Sequence, residues 1–426
     1  VTERASIEQR DPDKTPWGAR STTTSLALAL APGTLLAGIA GGIAFPILPI
    51  AGLRFGLSLP FIGLILAANR AMRVVSSPFV GVFADRFGGR RTLLLGLTVQ
   101  IVVLALYALG IATHRVGPFF LVGRLLHGPG SACVFIAAQA LALHAGGAAH
   151  RGRAAGTVRA AMVLGVPVGL AAGGLLSDAV GDAWTFGIAA AAVVMALIAA
   201  HARVPDLRAP IGRRPPLLET LRAMRDRRLL VLGVLNLMLN FAVGGMILTT
   251  LALLVHDRHI SALSRNEQGT AGLLMGWMIA IDAASTPIAG RIGDRWGAHA
   301  RVAAAAMVFL AGGLAVVGLS FRIPGLLAGL FLIGVGGAGL GPSLLVVMGG
   351  IVPNERRGTG VGLLQFCGDV GGMLGPLVGT ALLAGDTALP YLGTSALVLG
   401  LTPLAMWLAS VESQRREAAV ATGTPR

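Results

Sequence analysis

Apolar runs follow one another along nearly the whole chain, broken by short polar stretches. Runs of about the 20 residues a helix needs to cross a bilayer fall at 25–50, 59–82, 92–113, 117–143, 153–176, 183–202, 229–255, 268–291, 300–321, 324–350, 358–384 and 388–410. Several of them, such as 92–113, 229–255 and 388–410, carry no charged residue at all. The pattern predicts an all-α integral membrane protein with twelve transmembrane helices.

Residues 203–228 form the one long internal polar segment and contain Pro205, Pro210, Pro215 and Pro216. They read as a linker between two six-helix halves, 25–202 and 229–410, with tails at 1–24 and 411–426 and a short surface helix near 217–227. The halves repeat one another. Residues 77–88 read SPFVGVFADRFG and residues 286–297 read TPIAGRIGDRWG, 209 positions apart. Gly156, Gly165, Gly169 and Gly173 recur as Gly362, Gly371, Gly375 and Gly379, 206 positions on. Two agreeing offsets predict pseudo-symmetric halves, a common construction among secondary transporters.

Composition supports the membrane reading. Of 426 residues 54% are hydrophobic and 12% charged, against about 25% charged in soluble domains. The 61 glycines suit helices packed at close range. A net charge of +15 could suggest nucleic acid. The arginines, however, mark the ends of apolar runs rather than one soluble face, so no nucleic-acid partner is expected.

Alternate loops are Arg-rich: Arg86, Arg90 and Arg91; Arg151 and Arg153; the 203–228 linker; Arg291, Arg295 and Arg301; Arg356 and Arg357. The positive-inside rule puts these loops and both termini in the cytoplasm, and makes the lipid of the plasma (inner) membrane a partner. The first apolar run lacks a cleavage-site pattern and is expected to stay as a span. Cys133 and Cys367 lie inside apolar runs, which argues against a disulfide framework or a metal site. His256, Asp257 and His259 share one outer loop without further constraint. The stretch 334–339 matches G-x-G-x-x-G within a charge-free span, where helix packing explains it better than a dinucleotide. A P-loop, an H-E-x-x-H pair and a nucleophile elbow are all missing, so neither an enzyme nor a cofactor is expected.

The stretch Gly81-Val82-Phe83-Ala84-Asp85-Arg86-Phe87-Gly88-Gly89-Arg90-Arg91 resembles the signature loop between spans 2 and 3 of the major facilitator superfamily. The resemblance extends from about 25 to 410, with Gly89 standing where an arginine is usual. Gly290, Asp294 and Arg295 are similar to that family's second copy, between spans 8 and 9. The resemblance implies that Gly81, Asp85, Arg86, Gly88 and Arg90 belong to a loop that biases the inward/outward equilibrium. A plain positive-inside anchor is the other reading.

Arg124 and Gly128 look like the family's span-4 motif, with His127 at its polar position. Gly165, Gly169 and Gly173 in span 5, and Gly371, Gly375, Pro376 and Gly379 in span 11, resemble its antiporter motif, which goes with exporters more than importers. Span 1 ends in Phe45-Pro46-Ile47-Leu48-Pro49, similar to drug-exporting members, but lacks the carboxylate that many proton-coupled members carry there.

Ionisable residues inside spans are functional candidates, each needing a partner. They are Arg70, Arg73, Arg124, Arg159, Asp282 and Asp369. Arg73 lies about 12 Å and Arg70 about 16 Å from the Gly81 end of span 2, and Asp369 about 16 Å from the Gly358 end of span 11. The resemblance sets spans 2 and 11 face to face, so Asp369 is expected to pair with Arg70 or Arg73. The pseudo-twofold suggests a matching pair of Asp282 and Arg159. Such pairs are either static ties or contacts that break and form in transport, when a released carboxylate could take a proton. Asn240 and Gln365 are candidates for the substrate cavity. The reading is an alternating-access transporter of the drug:proton antiporter branch, a monomer exporting a small organic molecule against protons. An importer or facilitator of an anionic metabolite, and a transporter-like receptor or lipid-handling protein, are its rivals.

Overall fold

A computed structural model of the chain describes residues 19–145, 147–204, 226–260, 264, 266–352 and 357–421. The candidate linker therefore lies mostly outside the described residues. The helices in chain order are α1 Ala19–Arg54, α2 Leu59–Phe87, α3 Gly89–Ala112, α4 Val116–Ala145, α5 Gly147–Val180, α6 Asp182–Arg203, α7 Arg227–Asp257, α8 Glu267–Trp296, α9 His299–Leu319, α10 Ile323–Ile351, α11 Arg357–Leu383 and α12 Leu389–Ala421. Each contains a segment long and apolar enough to cross a membrane.

The helices overrun the apolar runs that predict them. The start of α5 takes in Arg151 and Arg153, and α1 begins at Ala19. Hydropathy marks the lipid-facing length of a helix, whereas hydrogen bonding continues into the headgroup layer. Large apolar side chains lie on the surface: Phe79, Trp184, Met195, Trp296, Phe321 and Met406 are each more than 60% exposed. That surface is stable only against lipid.

Packing repeats between the halves. The neighbours α1–α5, α2–α4, α3–α4 and α3–α6 have their counterparts in α7–α11, α8–α10, α9–α10 and α9–α12. Across the halves α2 meets α11 and α5 meets α8. Apolar burial gives no preference for helix over lipid, so close backbone approach supplies the packing. The glycine ladders do this. A Cβ on Gly165 would lie 2.3 Å from the Leu35 carbonyl oxygen, and one on Gly169 2.2 Å from that of Ile39. In the second half a Cβ on Gly371 would lie 2.1 Å from the Leu237 oxygen, and one on Gly375 2.5 Å from that of Phe241. The 334–339 stretch also packs helices: Gly334 abuts Met278 and Gly336 abuts Ala306.

One residue, Gly88, turns α2 into α3 with φ 89°, a conformation that favours glycine, and Gly297 turns α8 into α9 with φ 54°. Gly89 serves packing instead, because a Cβ there would lie 2.9 Å from Leu141 Cγ.

α7 departs from regular helix. Residues Asn240–Ile247 are π-helical, a form that often marks functional positions. Gly244 and Gly245 lie within this segment, and a Cβ on Gly245 would come 2.9 Å from the Gly375 Cα.

The halves touch unequally along their length. At the end away from the arginine-rich turns, a Cβ on Gly63 would sit 2.8 Å from the Pro376 oxygen, and one on Gly272 2.5 Å from the Leu170 oxygen. Towards the basic end, Gly81 and Gly290 have no described residue within 4 Å of a Cβ. The described halves are thus closed at one end and splayed at the basic end.

Gly169→Ala should lower thermal stability by about 1–3 kcal/mol, the usual range for overpacking. Gly187→Ala, whose Cβ meets nothing within 4 Å, serves as the control. Thermal unfolding in detergent would measure both; equal effects would contradict the ladder.

Candidate functional site

The site lies where α2, α7 and α11 meet. Asp369, on α11, is 4% exposed. Its Oδ1 accepts from Arg70 Nη1 at 3.1 Å and from Arg73 Nη2, and its Oδ2 accepts from Arg73 Nε at 3.3 Å and Gln365 Nε2 at 3.1 Å. A buried carboxylate is tolerable only with such a complete set of donors. The helices place them: Arg70 and Arg73 are three residues apart on one face of α2, and Gln365 precedes Asp369 by four on α11.

Glycines give the arginines room. A Cβ on Gly372 would lie 3.3 Å from Arg70 Nε, and one on Gly244 3.6 Å from Arg70 Nη2. A Cβ on Gly128 would lie 2.8 Å from the Arg73 backbone nitrogen, so this glycine sets how closely α4 seats α2.

Asn240 opens the π-helical segment, and its Nδ2 donates to the Asn236 oxygen at 3.0 Å. Asn236 Nδ2 reaches across to the Leu364 oxygen at 2.6 Å and ties α7 to α11. The side chains around Asp369 thus carry both donors and acceptors.

Arg124, on the neighbouring α4, makes no hydrogen bond to this cluster. It is fully buried, and among the described residues none of its three guanidinium nitrogens has a hydrogen-bond partner. Its charge rests over the Phe45 ring at 5.1 Å. Tyr107 Oη and His127 Nδ1 are likewise buried and unpartnered. Unsatisfied buried polar groups are rare enough to require a reason.

The acid of the second inter-half seam is differently placed. Asp282 on α8 is half-buried and makes no ion pair among the described residues; its Oδ1 lies 2.8 Å from where a Gly337 Cβ would stand. The expected Arg159 partner falls on a side chain outside those described. Register puts the two at one level, since α5 and α8 run antiparallel with Pro167 beside Gly276.

In the first signature loop Asp85 and Arg86 are exposed, and Asp85 makes no ion pair among the described residues. Arg86 stacks on Phe87 at 5.3 Å, and Arg90 Nη2 caps α6 by donating to the His201 oxygen at 2.6 Å. In the second loop Asp294 Oδ1 faces His299 Nε2 at 3.0 Å, while Arg295 is exposed.

Several polar ties escape sequence reasoning because they involve span ends, where charge is unremarkable. Arg54 Nη1 donates to Asp182 at 3.0 Å, and Ser177 also donates to Asp182. Arg258 donates to the closing carbonyls of α9, including Gly318 at 2.7 Å. His256 Nδ1 lies 2.5 Å from Glu267. Asp178 accepts across the halves from Ser264 and from the backbone nitrogens of Asn266 and Gly269. The Gly244–Gly245 pair was the one signal in the sequence for the π-helical segment.

The sequence model of the Major Facilitator Superfamily matches residues 30–265 and 233–424. The multidrug resistance protein MdtG of Escherichia coli O9:H4 (strain HS) is 26% identical over 374 residues, covering 83% of this chain and 86% of that protein. MdtG of Salmonella paratyphi A is 27% identical over 375 residues, covering 83% and 87%. Among solved structures the nucleoside transporter NupG superposes with a TM-score of 0.69 at 15% identity, covering 91% of this chain and 98% of that one. The human organic anion transporter MFSD10 gives 0.66 at 22% identity, covering 90% and 99%. A D-xylose-proton symporter gives 0.70 at 15% identity, covering 92% and 97%.

Removing Asp369 alone leaves two arginines without their counter-charge, and breaking a buried pair this way costs about 3–5 kcal/mol. Asp369→Leu should therefore unfold well before a triple variant that also carries Arg70→Leu and Arg73→Met. A triple variant no more stable than Asp369→Leu would show that the charges do not depend on one another.

Proposed function

The chain belongs to the Major Facilitator Superfamily, and we propose that it is a transporter exporting a small organic molecule in exchange for protons, with Asp369 as the group the two share. The proposal places the protein as a monomer in the inner membrane with both termini in the cytoplasm, following the arginine-rich turns. The basic end then faces the cytoplasm, and the splayed arrangement is the inward-open one.

The observation that carries the reading is the Asp369 carboxylate held by two arginines of the opposite half. A substrate entering from the cytoplasm meets this carboxylate beside Gln365 and Asn240. A donor group on the substrate can replace one arginine at Asp369. When the halves rock, the carboxylate comes within reach of the outer solution. A proton there neutralises it and displaces the substrate. On return the proton leaves to the cytoplasm, and the arginines reclaim the ionised acid. Competition for one acceptor enforces exchange rather than co-transport. The MdtG relatives, named for multidrug resistance, support export.

A second reading draws on Arg124. An unpartnered buried guanidinium, with Arg70 and Arg73 nearby in the same half, favours an anionic substrate. An anion would take the arginines when Asp369 is protonated, so proton and anion would move together as uptake.

In cells stripped of their own pumps and loaded with fluorescent drugs, the exporter reading expects energised efflux that a protonophore abolishes. Asp369→Asn should lower efflux at least tenfold at equal membrane abundance. In vesicles with an acidic exterior, accelerated organic-anion uptake and no drug efflux would instead establish the second reading.

A further inference from the structure

We propose that Asp178 is a gating residue of the outer end: its carboxylate caps the first turn of α8 from the opposite half, and this contact sets how readily the protein opens outward. The inference rests on the alternating-access reading but on neither the substrate nor the coupling ion.

The first backbone N–H groups of any helix lack partners within it. At α8 the N-cap residue, Asn266, makes no side-chain cap, and Glu267 in the first turn is engaged by His256 at 2.5 Å. The missing acceptors come from α5. Asp178 Oδ2 accepts from the Asn266 nitrogen at 3.2 Å and from the Ser264 hydroxyl, and Oδ1 accepts from the Gly269 nitrogen at 3.3 Å. A carboxylate here also meets the positive end of the helix dipole.

Bare backbone on both helices makes the docking possible. A Cβ on Gly269 would lie 2.1 Å from Asp178 Oδ2, and a Cβ on Gly174, one turn before Asp178, would lie 2.3 Å from the Gln268 oxygen. Any larger residue at either position would hold the carboxylate off the helix end.

The repeat does not account for this clasp. At the 206-residue offset the position equivalent to Asp178 is Ala384. The α2–α11 seam closes at this end through Gly63 against Thr380, whose hydroxyl donates to Pro376 of its own helix at 2.8 Å. Among the described residues, one seam therefore carries a charged clasp and the other does not. The nearby Arg54–Asp182 pair joins α1 to α6 within one half, so rocking of the halves leaves it intact. Outward opening must separate Asp178 from α8.

The experiment uses the full chain with Cys133 and Cys367 replaced by serine and a reporter, Ala171→Cys, at the α5–α8 seam, where Ala171 Cβ lies 3.3 Å from a Gly276 Cβ. A membrane-impermeant maleimide is added from outside, without substrate. Asp178→Ala should raise the labelling rate about fivefold, the population change that loss of a helix cap brings. Asp178→Asn, which keeps one acceptor oxygen, should give a smaller rise. Asp182→Asn, the control within one half, should leave the rate unchanged. Equal labelling in Asp178→Ala and its parent, or an equal rise in Asp182→Asn, overturns the proposal. If Asp178→Ala is lost from the membrane, Asp178→Asn and Ser264→Ala decide by the same criterion. A labelling shift in a protein without drug efflux would leave the gate standing while the exporter reading fails.

Discussion

One buried carboxylate constrains the rest of the molecule. Asp369 can remain ionised inside the membrane only while Arg70 and Arg73, from the other half, supply its hydrogen bonds. That requirement fixes the level at which α2 and α11 meet. It also explains why neighbouring positions are bare: Gly372 and Gly244 leave space for the Arg70 side chain, and Gly128 lets α4 come close behind Arg73. A pair whose members belong to two rigid halves is strong when those halves are in register and costly when they are not. Such a contact is suited to switching between two arrangements, whereas a purely apolar seam would slide without preference.

The rigidity of each half comes from a different source. The ladders at Gly165, Gly169, Gly371 and Gly375 bring helix backbones into direct contact, so α1 moves with α5 and α7 with α11. The halves then meet along two seams, α2–α11 and α5–α8, and polar groups are distributed unequally between them. The first seam holds the Asp369 cluster at mid-depth; the second holds the Asp178 clasp at the outer end. Departures from the internal repeat therefore mark the positions where packing alone does not explain the residue. The π-helical segment of α7 is another: it sits where α7 passes Gly375, next to the arginine cluster.

The twelve spans and the twofold repetition were legible because hydropathy and glycine spacing are local signals that survive in a linear reading. The level of Arg70, Arg73 and Asp369 was legible too, since a helix converts residue count into depth. What the sequence could not show is which side chains share an acceptor. Gln365 had weight only as a polar residue in a span, and the structure makes it a fourth donor bond to Asp369. Asp178 carried no signal, because an acid at a span end is ordinary until the facing helix is seen to lack its own cap. The two signature loops look alike in sequence yet differ in space: Asp294 faces His299, whereas Arg90, at the equivalent position in the first half, turns away to α6 and leaves Asp85 with no ion pair among the described residues. Packing partners chosen across the fold decide such cases.

The central claim is that proton and substrate compete for Asp369. The most direct measurement is the affinity of purified protein in detergent for a transported compound as the pH is lowered. The account predicts binding that weakens with acid in the wild-type protein, and weak binding with no such pH dependence in Asp369→Asn. Wild-type binding that is unchanged or strengthened by acid, or the same pH dependence in Asp369→Asn, would contradict it.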